Sequence, residues 1–339
     1  MNHILRHLPG QLLPWYELNK RELPWRQDRA PYHVWLSEIM LQQTRVEAVK
    51  GYYTRFLQAL PTIEALAEAD PEQLRKLWEG LGYYSRVRNL QKAAKQVMEL
   101  HGGVFPTDYS AVRALAGIGD YTAGAICSIC FGLPTPAIDG NVLRVASRLL
   151  ADPSLIDDAK TKKALTTALR EVYPAGRCGD FTQALMELGA TVCLPNGTPR
   201  CDVCPAKEQC LANKNGTWQQ FPVKAKKKSR RQEELTVFLL RCGEFWAMEQ
   251  RPTTGLLAEL WQFPNVPGHL SDKDALSLAE NWGVHPRELE KCAEKVHIFT
   301  HVQWQMRGYY LQCGAMPERF SWKKPADAAL PTAFRQFVP

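Results

Sequence analysis

The sequence predicts two domains of different fold class, an all-α domain followed by an α+β domain. A length of 339 residues exceeds one average domain, and a hydrophobic content of 45% supports a buried core in each. Apolar residues recur three and four apart between residues 30 and 212, whereas strand-like patterns follow residue 234. We therefore predict a helical domain over residues 1–216, a basic linker over 217–234 and a second domain over 235–339.

Eight segments of the first domain have the apolar spacing of amphipathic helices and are separated by Pro or Gly. They cover residues 34–41, 63–69, 71–79, 87–100, 121–130, 142–150, 160–172 and 181–192. In the second domain, residues 235–240 and 244–248 flank Cys242-Gly243 and predict a β-hairpin. Residues 302–306 and 308–311 predict two more strands, and residues 272–280 predict a helix between the two pairs.

The charge balance suits a polyanionic partner but does not require one. The net charge is +7 and the sequence pI is about 8.8, values that an ordinary basic protein also has. Six Lys and Arg residues between Lys224 and Arg231 predict either a solvated linker or a segment that lies along phosphates. No apolar run reaches 18 residues, and the first 18 residues do not resemble a secretory signal, so we expect a cytoplasmic, nucleoid-associated protein without membrane contact.

A glycine pair marks a candidate DNA-backbone contact. The segment Leu115-Ala116-Gly117-Ile118-Gly119 is followed by the helical pattern that begins near Tyr121. Gly117 and Gly119 allow a tight turn that exposes backbone N–H groups at the positive end of the next helix. This is the pattern of a helix-hairpin-helix, which holds a phosphate without reading the base sequence. Any turn between helices can contain such a glycine pair.

Four of the ten cysteines fall within one short loop. Cys193, Cys201, Cys204 and Cys210 have the spacing C-x7-C-x2-C-x5-C. Four thiolates this close require a cation or a metal cluster to compensate their charge. The spacing alone leaves both a structural zinc ion and a [4Fe–4S] cluster open.

Two acidic residues are candidate catalytic groups, each with a structural alternative. Asp139 precedes the helical pattern of residues 142–150, where it suits a helix N-cap as well as a carboxylate that stabilises a positively charged sugar. Glu38 lies among Leu36, Ile39 and Met40. A glutamate on a helix is usually solvated, but apolar neighbours would raise its pKa towards the range of a general acid.

As a set, these features resemble one protein family. The hairpin, the cysteine loop, Asp139 and Glu38 resemble the iron–sulfur DNA glycosylases of the endonuclease III type, and most closely the MutY-type adenine DNA glycosylases. The resemblance extends over about residues 10–339. The motifs that carry it are Leu23-Pro24-Trp25-Arg26, the segment 35–44 (WLSEIMLQQT), the segment 80–86 (GLGYYSR), Ile138-Asp139-Gly140-Asn141-Val142, the segment 255–264 and Phe299-Thr300-His301.

Two departures from the family pattern are visible. The family usually has six residues between the first two cluster cysteines, and this chain has seven. The family usually has Phe-Ser-His where this chain has Thr300 in the middle position. The hydroxyl is retained there, with an added methyl group.

The resemblance implies a base excision repair enzyme with a [4Fe–4S] cluster on the four cysteines. Its substrate would be double-stranded DNA in which adenine lies opposite 8-oxoguanine or guanine, and we expect a monomer. Glu38 would protonate the adenine, Asp139 would stabilise the oxocarbenium-like sugar, and Tyr121 and Asn141 would orient these groups. A Schiff-base lysine occupies the position of Tyr121 in the lyase branch, so the resemblance implies a monofunctional glycosylase.

The resemblance also assigns binding roles. Trp25, Arg26 and Gln183 would line the adenine pocket. Gln43 and Tyr83 would wedge into the base stack, and Thr44 and Leu81 would contact the opposite base. By themselves, Tyr83 and Tyr84 would more simply be core residues.

The C-terminal domain resembles the Nudix fold, with Phe299, Thr300 and His301 as DNA contacts. No glutamate-rich helix of the metal-binding Nudix type follows Gly255, which favours a recognition module over a nucleotide pyrophosphatase. Tyr121 and this domain argue against the rival prediction of a pyrimidine-specific glycosylase with lyase activity. The presence of both Glu38 and Asp139 argues against a non-catalytic DNA-binding protein.

Overall fold

The computed structural model describes residues 2–225 and 229–338. The chain divides into two compact units, one formed by Met1–Ala69 and Asn89–Lys226 and the other by Asp70–Arg88 and Lys227–Pro339. Residues 70–88 therefore group with the C-terminal sheet rather than with the helices before and after them. The boundaries at residues 216 and 234 remain predictions, and Lys226, Lys227 and Lys228 of the basic linker lie outside the described residues.

The elements follow one another in this order. The helices are α1 (Asn2–Asn19), α2 (Pro31–Leu41), α3 (Val46–Ala59), α4 (Ile63–Glu68), α5 (Pro71–Leu77), α6 (Ser85–His101), α7 (Tyr109–Ala114), α8 (Asp120–Phe131), α9 (Gly140–Leu150), α10 (Ala159–Arg170), α11 (Cys178–Thr191), α12 (Leu211–Lys214), α13 (Asp272–Asn281) and α14 (Thr332–Arg335). The strands are β1 (Arg231–Cys242), β2 (Phe245–Gln250), β3 (Trp261–Gln262), β4 (Asn265–Pro267), β5 (Pro286–Ile298), β6 (Val302–Cys313) and β7 (Ser321–Lys323). Short 3₁₀ helices cover Pro24–Arg26, Cys201–Val203, Lys207–Gln209, Trp218–Gln220 and Pro325–Asp327.

Each of the eight predicted helical segments coincides with an α-helix, but α1, α3, α7, α12 and α14 were not predicted. Pro9 and Pro14 lie inside α1, and each proline removes a backbone donor from the helix. The helix is nevertheless stabilised by burial, since Leu5, Leu8 and Leu12 join a core shared with α9, α10 and α11. Tertiary packing therefore outweighs the local helix-breaking signal.

Close helix crossings bring α11 against α8 and α9. A Cβ atom at Gly179 would lie 2.8 Å from the Cα of Ile129, and one at Gly189 would lie 2.5 Å from the Cβ of Asn141. Any larger residue at either glycine would force the helices apart. These contacts fix the start of α9, where Asp139 and Asn141 lie.

The second unit contains a mixed sheet. Its strand order is β3-β2-β1-β6-β5, with β4 paired to β1 and β7 paired to β2. Strands β1 and β6 are parallel over their whole length, and β5 runs antiparallel to β6. Apolar side chains fill both faces, one covered by α14 and the other by α13.

The sheet differs from the sequence prediction in several ways, and its short strands β3, β4 and β7 were not predicted. The two strands predicted at 302–306 and 308–311 form one continuous strand, in which Gly308 lies where a Cβ atom would be 2.5 Å from the ring of Phe337. Strand β1 begins at Arg231, inside the predicted linker. Strand β5 was not predicted, since it is a largely exposed edge strand without regular apolar alternation.

No described helix combines the length and the apolar character that a membrane span requires.

Candidate active site and nucleic-acid interface

A pocket in the first unit collects eight residues that the sequence singled out from distant segments. They are Trp25, Arg26, Glu38, Thr44, Tyr121, Asp139, Asn141 and Gln183. The side chains come from the 3₁₀ helix at Pro24–Arg26, from α2 and the turn that follows it, and from α8, α9 and α11. Helix packing therefore joins residues separated by up to 158 positions, from Trp25 to Gln183, in one cavity.

Glu38 is a buried acid on α2, and 6% of its surface is exposed. The hydroxyl of Tyr121 donates a hydrogen bond to its Oε2 at 2.5 Å. Burial raises the pKa of Glu38 to about 7, and the nearby charge of Asp139 adds to that rise, while the Tyr121 hydrogen bond opposes it. A carboxyl group with such a pKa is protonated in a substantial fraction of molecules near neutral pH and can act as an acid.

Asp139 is the N-cap of α9, as the structural alternative predicted. Its Oδ1 accepts a hydrogen bond from the backbone N–H of Val142 at 2.7 Å, and its Oδ2 accepts one from Asn141 Nδ2 at 2.7 Å. Burial raises the pKa of Asp139, and both hydrogen bonds oppose that rise because they favour the charged form. Capping does not remove the carboxylate from the pocket, since Asp139 also lines it.

Glu187 lines the same pocket but was not predicted. This buried glutamate on α11 lies 2.6 Å from Arg21 Nε through Oε1 and 2.7 Å from Arg26 Nη2 through Oε2. Burial alone would raise its pKa, but the hydrogen bonds and charges of the two arginines outweigh burial and lower the pKa of Glu187. The available signal was the one used for Glu38, a lone acid in an otherwise uncharged helical stretch, here residues 181–192.

Two other pocket residues are held by aromatic neighbours. Trp25 is buried, and its ring contacts that of Tyr53 edge to face with centroids 5.5 Å apart. Gln183 Oε1 accepts a hydrogen bond from the Tyr16 hydroxyl at 3.1 Å. One side of the pocket is thus formed by side chains whose orientations are fixed by packing.

The turn after α2 carries Gln43 and Thr44. Gln43 has a left-handed backbone conformation, with φ 58°. The hydroxyl of Thr44 donates to the carbonyl of Gln42 at 3.4 Å, and Gln42 in turn donates to Thr122 at the start of α8. A non-glycine residue with positive φ is uncommon and persists where the surroundings determine it.

The predicted hairpin lies between α7 and α8. Gly117 has φ 74°, and a Cβ atom there would lie 2.6 Å from the Cβ of Asn89. Gly119 is the N-cap of α8 and offers no side chain to the first turn. Arg113 closes the hairpin by donating to the carbonyl of Ile118 at 2.9 Å. As in any α-helix, the first N–H groups of α8 have no acceptor within the helix, which is the feature that a phosphate site uses.

In the second unit, two residues of separate predicted motifs are in contact. The hydroxyls of Tyr83 and Thr300 are 3.2 Å apart. Tyr83 is 47% exposed and has φ 48°, whereas Tyr84 is buried as a core residue. Leu81 is only 6% exposed, so its side chain is not available at the surface for the predicted contact with a base.

The Phe299-Thr300-His301 segment is the turn between β5 and β6. The Phe299 N–H donates to the Val302 carbonyl at 2.8 Å, and its ring contacts those of His297 and Trp304. The carbonyl of His301 accepts from the N–H of Arg231 at 3.1 Å. The turn is therefore held on both sides and presents Thr300 to Tyr83.

The four loop cysteines Cys193, Cys201, Cys204 and Cys210 line one pocket against α9 and α11. Arg148 reaches into it and donates to Cys193 Sγ at 3.3 Å and to the Leu194 carbonyl at 2.9 Å. The four cysteines share one pocket, and the buried Arg148 guanidinium lies beside Cys193 Sγ. Both features fit a metal group bound by thiolates. The four thiols thus line a common pocket, although among the described residues no three His, Cys, Asp or Glu side chains lie at the spacing of a single-ion site.

The extra residue of the cysteine loop lies within residues 194–200. The loop turns back so that the N–H groups of Leu194 and Arg200 both donate to the carbonyl of Val192 at 3.0 Å. Gly197 provides the positive φ of the turn. The extra residue is thus accommodated in a turn that closes on the Val192 carbonyl.

Comparisons with known proteins agree with this architecture. Residues 36–174 match the HhH-GPD superfamily of base excision DNA repair proteins, and residues 236–339 match the NUDIX domain. The human adenine DNA glycosylase is 37% identical over 89% of this chain, which spans 66% of the human protein. The rat adenine DNA glycosylase is 34% identical over 96% of this chain and 76% of its own length. The adenine DNA glycosylase from Buchnera aphidicola subsp. Acyrthosiphon pisum is 32% identical over 86% of this chain and 82% of its own length.

Solved structures resemble the helical part. A thermostable thymine-DNA glycosylase superimposes with a TM-score of 0.58 at 27% identity, covering 63% of this chain and 98% of that chain. A trapped endonuclease III–DNA covalent intermediate has the same fold, with a TM-score of 0.54 at 22% identity. The match covers 64% of this chain and 98% of that chain.

The fold and these matches define the class as the base excision DNA glycosylases. The chain belongs to the adenine DNA glycosylase family. The helix-hairpin-helix fold, the Nudix-like second domain and the enzyme class predicted from the sequence are thereby confirmed.

Proposed function

We propose that the chain removes adenine from duplex DNA in which adenine lies opposite 8-oxoguanine or guanine, by hydrolysis of the N-glycosidic bond. The observation that carries the proposal is the buried pair of carboxyl groups, Glu38 and Asp139, each fixed by its own hydrogen-bond donor in one pocket. The family supports adenine as the base, since the relatives are adenine DNA glycosylases.

The first step is extrusion of the adenosine from the stack into the pocket, because the glycosidic bond cannot be attacked within the helix. In this proposal, Trp25, Arg26 and Gln183 bind the base. Gln43 and Tyr83 fill the space that it leaves, and Thr44 contacts the opposite base, as does the backbone of Leu81, whose side chain is buried. The N–H groups around Gly117 and Gly119 hold the DNA backbone without reading its sequence.

The bond is then broken with two carboxyl groups in different roles. Glu38 donates a proton to N7 of adenine, which turns the base into a better leaving group, and the bonding electron pair departs with the base. The remaining oxocarbenium-like sugar is stabilised by the negative charge of Asp139, which Asn141 and the Val142 N–H hold in place. Water adds to the sugar carbon and loses a proton, leaving an abasic site.

Glu187 fits a role in base binding. Its charge is offset by Arg21 and Arg26, so the three side chains form a polar wall of fixed geometry. Such a wall presents donors and acceptors to the polar edge of a purine. We assign Glu187 and Arg21 to this wall together with Arg26.

The test is single-turnover excision from duplexes with adenine opposite 8-oxoguanine, guanine, cytosine or thymine. We expect fast excision opposite 8-oxoguanine, slower excision opposite guanine and none opposite thymine. Excision of adenine from the A·T duplex at the same rate, or no excision from any duplex, would refute the proposal.

The product is expected to be an intact abasic strand that breaks only after added alkali. Tyr121 lies in the pocket but has no amine, and a Schiff base requires one. The assay is therefore sampled before and after alkali, and in parallel with borohydride. Efficient borohydride trapping of an enzyme–DNA adduct would show that a lysine elsewhere performs lyase chemistry.

We further propose that Cys193, Cys201, Cys204 and Cys210 hold a [4Fe–4S] cluster that organises the 193–210 loop. The shared pocket and the Arg148 guanidinium beside Cys193 support a negatively charged thiolate group there. The purified protein should be yellow-brown and contain about four irons per chain. Elemental analysis that finds one zinc and no iron would refute this assignment.

The C-terminal domain is proposed as a recognition module, with Phe299, Thr300 and His301 at the opposite base. Nudix hydrolysis requires a glutamate-rich helix, and the described segment after Gly255 leads through a turn into β3 without a helix. We expect the enzyme to act as a monomer on DNA of the nucleoid.

A further inference from the structure

The 78–84 turn, which carries Tyr83, is attached to the C-terminal sheet through the helix before it. Helix α5 and the turn both belong to the second unit. Lys76 Nζ donates to the Ala326 carbonyl at 2.6 Å, and Trp261 Nε1 donates to Glu72 Oε1 at 3.3 Å. The turn and its partner Thr300 are thus parts of one compact unit despite a separation of more than 200 residues.

Glu79 is the acidic centre of this attachment. Arg335 Nη2, on α14, lies 2.5 Å from Glu79 Oε1, and Lys76 Nζ lies 3.0 Å from Glu79 Oε2. The Glu79 side chain is 11% exposed and the Arg335 side chain is 49% exposed, so the pair is partly buried and is screened by solvent less than a fully exposed ion pair.

The backbone of the turn links the position of Glu79 to that of Tyr83. Gly80, Gly82 and Tyr83 all have positive φ, so the backbone between them is tightly folded. Trp78 Nε1 and Arg86 Nη2 both donate to the Gly82 carbonyl at 3.1 Å. A displacement at Glu79 is therefore carried to Tyr83 instead of being absorbed by a flexible loop.

We infer that the Glu79–Arg335 ion pair is a positioning element for opposite-base recognition, because it fixes the turn on the C-terminal unit and holds the Tyr83 hydroxyl beside Thr300. Glu79 and Arg335 are positioning residues and act only through the Tyr83–Thr300 contact. The inference rests on the proposed function, in which that contact serves recognition of 8-oxoguanine.

The experiment measures single-turnover excision rates opposite 8-oxoguanine and opposite guanine, using the full-length protein. We expect Glu79→Gln and Arg335→Gln each to lower the preference for 8-oxoguanine by about threefold to tenfold. The rate opposite guanine should stay near that of the wild type. The double variant should lose no more preference than Glu79→Gln alone, because that change already breaks the pair with Arg335. The matched control is Arg307→Gln, which breaks an ion pair with Glu294 elsewhere in the same unit and should keep the wild-type preference.

A second set of variants, made in the Thr300→Ala background, separates a positioning role of Glu79 from general structural support. In a Thr300→Ala background, Glu79→Gln should cause no further loss of preference, since the contact through which it acts is already gone. The inference is overturned if Glu79→Gln and Arg335→Gln leave the preference unchanged. It is equally overturned if they lower both rates by the same factor, or if Glu79→Gln acts as strongly in the Thr300→Ala background as in the wild type.

The outcomes also distinguish this inference from the proposed function. If the wild type excises no adenine, the proposed function fails. If Thr300→Ala lowers the preference while both ion-pair variants do not, the proposed function stands and only the positioning role is wrong.

Discussion

Replacing Asp139 by asparagine is expected to reduce adenine excision by at least about a hundredfold to a thousandfold while duplex binding is retained. The substitution removes the negative charge that would stabilise the sugar cation. It retains the capping interaction, because an asparagine side chain can also accept from the Val142 N–H. Single-turnover excision and the equilibrium dissociation constant for the duplex are measured on the same preparation.

The matched control for this prediction is Asp158→Asn. Asp158 caps α10 by accepting from the Lys160 N–H at 3.1 Å, and it does not line the pocket. The control should excise adenine at the wild-type rate, since only a helix cap is changed. Wild-type turnover by Asp139→Asn would mean that Asp139 matters only as a cap. An equal loss in Asp158→Asn would mean that the loss does not come from the charge in the pocket.

Replacing Glu38 by glutamine is expected to slow excision by about a hundredfold to ten-thousandfold. The amide still accepts a hydrogen bond from Tyr121 but has no acidic proton for the base. The change should not unfold the protein, because glutamine has the same shape and removes a charge that burial disfavours. Glu17→Gln, at an exposed glutamate paired with Arg177, is the control for the substitution itself.

The pH profile provides a second measure of the same group. Burial raises the pKa of Glu38 to about 7, so the carboxyl is mostly protonated below that pH and mostly ionised above it. The excision rate of the wild type should therefore fall as pH rises through about 7 and approach a tenfold decrease per pH unit. The residual rate of Glu38→Gln should lack this decrease. An unchanged decrease in the variant would assign the titration to another residue.

The ion pairs of Glu79 with Lys76 and Arg335 affect which variant best tests the C-terminal domain. A fragment that ends before the sheet would also remove the partners of residues 70–88, which group with that sheet. Such a fragment would change the Tyr83 turn and the recognition surface together. Thr300→Ala in the full-length chain changes only one side of the contact and is the cleaner variant.

Much of the fold was predictable because its signals are local. Apolar spacing indicated eight helices, and the Gly117 and Gly119 pair indicated the hairpin before α8. The site was predictable only in part from the residues themselves. A lone acid in an apolar helix indicated Glu38, whereas the roles of Trp25, Arg26 and Gln183 depended on family resemblance.

The sequence by itself determined the elements with a short-range pattern, namely the amphipathic helices, the glycine turn and the spacing of Cys193, Cys201, Cys204 and Cys210. Only the tertiary structure decided that α1 forms through two prolines, and that Glu187 faces two arginines in the pocket. It also decided that the Tyr83 turn belongs with the C-terminal sheet. The physical reason is that helix propensity, turns and ligand spacing act over a few residues. Burial, ion pairing and pKa shifts depend instead on neighbours that are distant in the chain and become adjacent only after packing.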